Sequence, residues 1–446
     1  MSLQLTSAQV QALAPDASAV SAGKKLGKPA SWKSLGQSSE ALWGECQGSA
    51  LYQTQVALPD LASKCSCPSR KFPCKHALGL LFLAVDTPKA VLEGPPPDWV
   101  TSWQEKRGAA QEKKQARVEA AASKPVDEPA QAKRSEKRHE KILAGIDQLD
   151  AFMNDLVRQG LARAQSQSLS LWDTQARRLV DAQAPGLAAR VRQLAQVSGT
   201  SEGWAERVLA ELGQLSLLTH AYRRLPTLPP ALAADVRRLI GFSLEQTEVV
   251  AHGDVVEDDW DVLGARLDEE DRIRTQRTWL RGVSSKRSAL VLQFAPPGGR
   301  FTEALVPGSR TSARLAFWPS AAPQRALVVE RTGPLTTLDD APTGESVRAC
   351  TTRFAALLGQ LPFLERDLFV LEGVVPTLVS REGGPSYALI DEDGQQLPLA
   401  VGDHDVLLAT SGGSPLTVVG EWDGYTLEPL RAWPRDSPRL LQRNAS

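Results

Sequence analysis

Cys65, Cys67, Cys74 and His76 stand within twelve residues of one another in the order C-x-C-x₆-C-x-H. The chain has 446 residues, and this stretch holds three of its five cysteines and one of its five histidines. Such clustering points to a metal, and three thiolates with one imidazole form a tetrahedral zinc set. Four protein ligands fill that shell and leave no position for a reactive water, so the expected role is structural. Two other readings of the same residues are ordinary buried side chains and a redox-active thiol set; zinc accounts best for their spacing.

The flanking sequence supplies elements that can hold these ligands. Tyr52, Thr54, Val56 and Leu58 alternate with Leu51, Gln53, Gln55 and Ala57, which is the period of a strand. Residues two apart in extended backbone point the same way, so Cys65 and Cys67 can grip one ion from a strand or its end. Ala77 to Val85 reads as a buried helix whose first turn contains Pro73, with Cys74 and His76 at its start. The partial positive charge of a helix start favours thiolate over thiol.

The pattern resembles the SWIM zinc finger, whose signature is C-x-C-x(n)-C-x-H. Trp43 to Ser49 and Cys67 to Leu78 are similar to bacterial SWIM-family proteins of about this length, as are Val180 to Leu187 and Gly420 to Gly424. The resemblance implies a bound Zn²⁺ and a finger that contacts DNA or other proteins. It also implies a setting beside AAA-type ATPases and von Willebrand A-domain proteins, in a bacterial cytoplasm.

Composition constrains the rest. Hydrophobic residues at 42% and charged residues at 23% are globular values, and the length suits two or three domains. A net charge of −1 removes any global electrostatic case for nucleic acid, so such a contact must be local. An odd cysteine count with three residues committed to metal argues against disulfides and for a reducing cytoplasm. The N-terminus lacks the pattern of a signal peptide, and Leu78 to Val85, the densest apolar run, is too short to span a membrane.

The expected architecture is an α+β multidomain chain. Residues 1–103 form a small zinc-stabilised finger domain, with a helix from Ser7 to Ala14 and a turn-rich stretch bracketed by Trp32 and Trp43. Residues 104–138 have the composition of a charged flexible linker broken at Pro125 and Pro129. Residues 139–250 read as a helical domain, opened by Ile142, Ile146, Leu149, Met153, Leu156 and Val157 on one helix face. Residues 251–446 read as a β-rich region, barrel- or sandwich-like and possible to divide in two, with one helix at about Ser346 to Leu361. Its strands include Phe369 to Val375, Tyr387 to Ile390, Val406 to Ala409 and Leu416 to Val419.

No P-loop, nucleophile elbow or H-E-x-x-H occurs. Asp391 to Gly394 reads as a turn, and the acidic run Asp254, Glu257, Asp258, Asp259 and Asp261 as a loop ahead of a domain. Cys46 and Cys350 read as small buried residues, and His220 as structural. Lys64, Arg70, Lys71 and Lys75 have no acidic neighbour inside the finger; they suit phosphate contacts, or simply offset the charge of three thiolates. The expectation is a non-enzymatic zinc protein that recognises a macromolecule, another protein first and DNA or RNA second. An enzyme with a site assembled from dispersed residues is the outside alternative.

Overall fold

The computed structural model describes residues 4–442, apart from 59, 123–127, 162–168, 198–202, 271, 298, 300, 382–383, 403 and 435–440. The N-terminal module begins with α1 (Ser7–Ala12), where Thr6 and Gln9 form a capping box, and α2 (Ala17–Leu26), capped by Asp16. A four-stranded antiparallel sheet follows in the order β1 (Trp32–Gln37), β2 (Ala41–Gln47), β3 (Leu51–Ala57), β4 (Ser63–Cys65). The stretch between Trp32 and Trp43, expected as turns, is thus two paired strands. Its apolar side chains are too sparse to show a period, and pairing with β3 decides its conformation. The buried helix α3 (Lys75–Asp86) lies over this sheet and against α2. A Cβ on Gly79 would stand 2.7 Å from Leu26 Cβ, so the two helices approach more closely than any larger residue permits.

Residues 104–138, expected as a flexible linker, fall mostly in two long helices, α4 (Asp98–Ala122) and α5 (Glu128–Gln159). Ala, Lys, Glu, Gln and Arg are the strongest helix formers, and the composition that reads as a linker reads equally well as helix. Pro129 sits in the first turn of α5, where its missing N–H has no partner to lose; Pro125 lies outside the described residues. Val100 and Trp99 of α4 pack on Ala41 and Trp43, anchoring this helix to the finger module.

Helices α5, α6 (Leu169–Asp181), α7 (Pro185–Val197), α8 (Trp204–Arg223) and α9 (Pro230–Ile240) share one core. Ile142, Ile146, Leu149, Met153 and Leu156 all bury there, whereas Val157, read as part of the same stripe, is 50% exposed. His220 sits in the last turn of α8 and its Nδ1 meets Ser216 O at 2.7 Å. A short helix, α10 (Gln246–His252), leads into the β-rich half and touches α4.

That half is two successive barrels of one topology. In the first, β5 (Asp254–Glu270) pairs with β6 (Ile273–Gly282), β6 with β7 (Ser288–Ala295), β7 in parallel with β9 (Arg325–Arg331), β9 with β8 (Ser309–Phe317), and β8 again with β5. The ring closes in the strand order one-two-three-five-four, around Trp260, Val262, Leu280, Val291, Leu315 and Phe317. A two-residue strand, β10 (Thr336–Thr337), lies on β8. After α11 (Val347–Gln360), capped by Ser346, the second barrel repeats the order. Here β11 (Asp367–Arg381) pairs with β12 (Gly384–Ile390), β12 with β13 (Gln396–Pro398), β11 with β14 (Leu416–Trp422), and β14 with β15 (Leu427–Pro434). A parallel bridge from Leu399 to Leu427 closes it, and β16 (Leu441–Gln442) lies on the outside of β15. Each first strand is long and carries a bulge where it passes from one neighbour to the next, between Val262 and Gly264 and between Leu371 and Val374.

Two readings need correction. The acidic run from Asp254 to Asp261 is the first half of β5, with three of its carboxylates taken up by partners of opposite charge or by amides: Asp254 by Arg287, Asp258 by the Ser284 and Ser285 amides, Asp261 by Arg310. Val406 to Ala409, read as a strand, lies in α12 (Asp405–Ser411), between the third and fourth strands of the second barrel. A four-residue apolar run carries no usable period. Gly412, at φ 51°, ends this helix in the left-handed region and donates to Leu408 O.

The modules pack together. Leu5 and Val10 share a core with Val306 and Leu335 of the first barrel, and buried Gln9 donates through Nε2 to Gly308 O at 2.6 Å. Ala322 of the β8–β9 loop and Phe363, ahead of β11, enter the bundle core.

Candidate metal centre

Strand β4 delivers the first ligand. Cys65 pairs with Thr54 in β3, and the ladder continues one residue further, with Ser66 N–H donating to Gln53 O and Gln53 N–H to Ser66 Oγ. The chain bends at Ser66 and Cys67, just past the end of β4, and Cys65 and Cys67 reach one cluster from that strand end. The second pair comes from the start of α3. Cys74 is the residue ahead of the first turn and His76 lies within it, so the helix begins two residues after Pro73 and not at it. At that boundary the backbone turns from extended to helical, which lets residues two apart converge, as a regular helix at ~100° per residue does not.

The four ligand atoms of Cys65, Cys67, Cys74 and His76 all lie within 4.8 Å of one another. Cys65 Sγ is 3.6 Å from His76 Nδ1. In a tetrahedral site with Zn–S near ~2.3 Å, ligand atoms stand roughly 3.5–4 Å apart, so this donor set fits one zinc ion. Cys74 and His76 are buried and the first two cysteines half-buried. Tyr52 covers the imidazole, with ring centroids 4.9 Å apart, and the Thr54 hydroxyl lies 3.1 Å from Cys65 Sγ. These contacts hold the ring and give the sulfur a polar neighbour.

The three thiols share hydrogen bonds and act on one another. Cys65 is held well below the ordinary thiol range, first because Cys74 hydrogen-bonds to it, with His76 and Thr54 acting in the same direction. Cys74 is pushed up by that same contact and by burial, and Cys67 by burial first. Protons crowded among sulfurs at this separation are what a divalent cation displaces, converting all three to thiolates. Cys46, on β2 opposite Tyr52, is 1% exposed, and burial raises its thiol; it does not belong to the four-donor cluster. Cys350 is fully buried in α11.

The four basic residues do not form one equivalent set. Lys64, Arg70, Lys71 and Lys75 are all exposed, but Lys71 Nζ is 2.7 Å from Asp16 Oδ2 and 3.0 Å from Ser18 Oγ, on the first turn of α2. That lysine holds the Asp16 carboxyl well below its usual range. Sequence reasoning missed the pair because the acid lies outside the finger. Among the described residues no carboxylate lies within ion-pair distance of Lys64, Arg70 or Lys75.

A closed Cys₃His centre joining a strand end to a helix start is a structural zinc finger. Family comparison defines the type: the SWIM zinc finger model matches residues 52–84, and that of the SWIM-associated four-helix bundle domain matches residues 137–240. The chain thus carries a SWIM zinc finger and the helical bundle domain associated with it, and Cys65, Cys67, Cys74 and His76 are positioned to bind zinc. Searches of curated proteins and of solved structures gave no match. No helix among the described residues is long and apolar enough to cross a membrane.

Proposed function

We propose that this chain is a non-catalytic adaptor whose principal partner is another protein. The observation that carries this reading is the charge of the second barrel. Residues 367–434 contain eleven acidic side chains and two arginines, a net −9 with histidine neutral. Glu372, Glu392, Asp393, Asp405 and Asp423 are exposed, whereas Arg431 is buried. A surface of that sign repels a polyphosphate backbone and suits a basic protein segment. Leu378, Val401, Val406 and Tyr425 are exposed among these acids and offer apolar contact. The zinc centre supports the reading, since four protein ligands leave it no catalytic position. Resemblance to proteins found beside AAA-type ATPases and von Willebrand A-domain proteins makes such a system the first place to look for the partner.

The test is affinity purification of the full chain with and without nuclease, beside a Val406→Asp, Tyr425→Asp variant. A protein retained after nuclease and lost in the variant supports the adaptor. Recovery that depends on nucleic acid, or that is identical in the variant, refutes it.

A second reading rests on Lys64, Arg70 and Lys75, which surround the centre without carboxylate partners: the finger contacts DNA or RNA phosphates. Its signature is affinity that falls steeply with salt, by a slope of about −0.9 per neutralised phosphate on duplex DNA. Replacing all three residues with Ala, zinc retained, should abolish that slope; unchanged affinity sinks this reading.

A further inference from the structure

The two barrels share the strand order one-two-three-five-four, with a parallel pairing of strands three and five and, in the second, a helix between strands three and four. That is the arrangement of the OB barrel, which takes its ligands on the outer face of strands two and three, beside the loop between strands four and five. Topology alone assigns no ligand. In the first barrel, however, this face opens onto a cavity of about 320 Å³, at the lower end of the usual size range for small-molecule sites. Its walls are β6 and β7, the β8–β9 loop, α9 of the bundle, and the segment leading into β11.

Four arginines line this cavity, and they are not equivalent. Arg238 has Asp235 at 3.4 Å, and Arg277 and Arg366 share Glu421. Among the described residues Arg325 has no carboxylate within ion-pair distance and no hydrogen-bond acceptor, and its buried Nε is unsatisfied. Its guanidinium lies 4.2 Å from the ring centroid of Trp318, and burial together with Arg238 pulls it below the ordinary arginine range. Arg325 is half-buried, and a cation without a counter-charge there is favoured by an anion placed beside it. Phe294, on the outer face of β7 in the same cavity wall, is 59% exposed, a free aromatic surface of the kind on which a base stacks.

We propose that this cavity binds a nucleoside monophosphate unit, free or as the 5′ end of a single strand, with Arg325 and Arg238 on the phosphate and Phe294 against the base. The site touches three modules, so occupancy would also tie the bundle to the first barrel. The proposal is independent of the adaptor reading, which concerns the second barrel.

Calorimetric titration of the zinc-loaded full chain with deoxyadenosine monophosphate tests it, beside deoxyadenosine, inorganic phosphate and a 5′-phosphorylated oligodeoxyadenylate. The monophosphate should bind better than either half alone. Arg325→Met, which keeps a chain over Trp318, should weaken it at least tenfold. Phe294→Ala, at an exposed position with no fold to lose, should weaken it at least about fivefold. Tighter binding of the oligonucleotide identifies a strand end as the source; equal or weaker binding identifies the free nucleotide. No binding of the monophosphate at millimolar concentration overturns the proposal, as does binding unchanged in Phe294→Ala or equal for inorganic phosphate.

Discussion

Glu421 joins the two barrels, and removing its carboxylate should separate them energetically. It lies on β14 of the second barrel, 3% exposed, and accepts from Arg277 Nε and Nη2 at 3.1 Å each and from Trp279 Nε1 at 2.7 Å, both on β6 of the first. Arg366 adds a further bond at 3.2 Å. Glu421→Ala leaves Trp279 Nε1 without a partner in a fully buried ring, at about 1–3 kcal/mol. It also strips one of two carboxylates from Arg277, which keeps Asp268. Breaking a buried pair by removing one partner costs ~3–5 kcal/mol, and the retained Asp268 places the expected loss at the lower end, about 3 kcal/mol. Urea unfolding followed by tryptophan fluorescence should register it as an early transition of the β-rich half. A double-mutant cycle with Arg366→Ala should show coupling, since both remove the same bond. The pH dependence is set by direction. Burial raises the Glu421 carboxyl, but Arg277 and Arg366 outweigh it and the net shift is downward. A depressed carboxyl contributes stability that is full above its unfolded value and lost as pH falls through the folded one. The gap between wild type and Glu421→Gln should therefore narrow toward low pH. Asp367, raised by burial, acts oppositely in both proteins and cancels in that difference. A loss under 1 kcal/mol for Glu421→Ala, or a gap that widens in acid, would refute the reasoning.

Purified protein should carry about one zinc per chain, read by elemental analysis, and Cys74→Ser should release it; chelation should expose residues 52–84 to protease first, because zinc binding contributes directly to folding that module. Gly79→Val forces side-chain atoms into Leu26 and should destabilise the finger module by about 1–3 kcal/mol through overpacking, read as a lowered melting temperature with the zinc content retained. Gly412→Ala places a Cβ in the left-handed region at the end of α12 and should cost about 1 kcal/mol, seen as a small shift in the denaturant midpoint.

The metal centre was fully legible in the sequence, because its four ligands lie within twelve residues and the alternation of β3 and the apolar run of α3 are local signals. The core stripe from Ile142 to Leu156 was legible for the same reason, a period carried by consecutive turns of one helix. What tertiary structure decided depends on residues far apart in the chain. Lys71 loses its availability to Asp16, fifty-five positions earlier. The charged run from Asp254 becomes a strand because β8 and β6 supply its hydrogen-bond partners. Barrel closure needs the pairing of Leu290 with Arg325 and of Leu399 with Leu427, and neither pair carries any local pattern. Arg325 is one arginine among many in the sequence; only the packing of α9, β7 and the β8–β9 loop around it sets it over Trp318 with, among the described residues, no carboxylate in ion-pair reach. Short-range periodicity determines which segments bury a face, but the partner that completes each face is chosen by the whole fold, since burial and charge compensation are properties of the assembled neighbours.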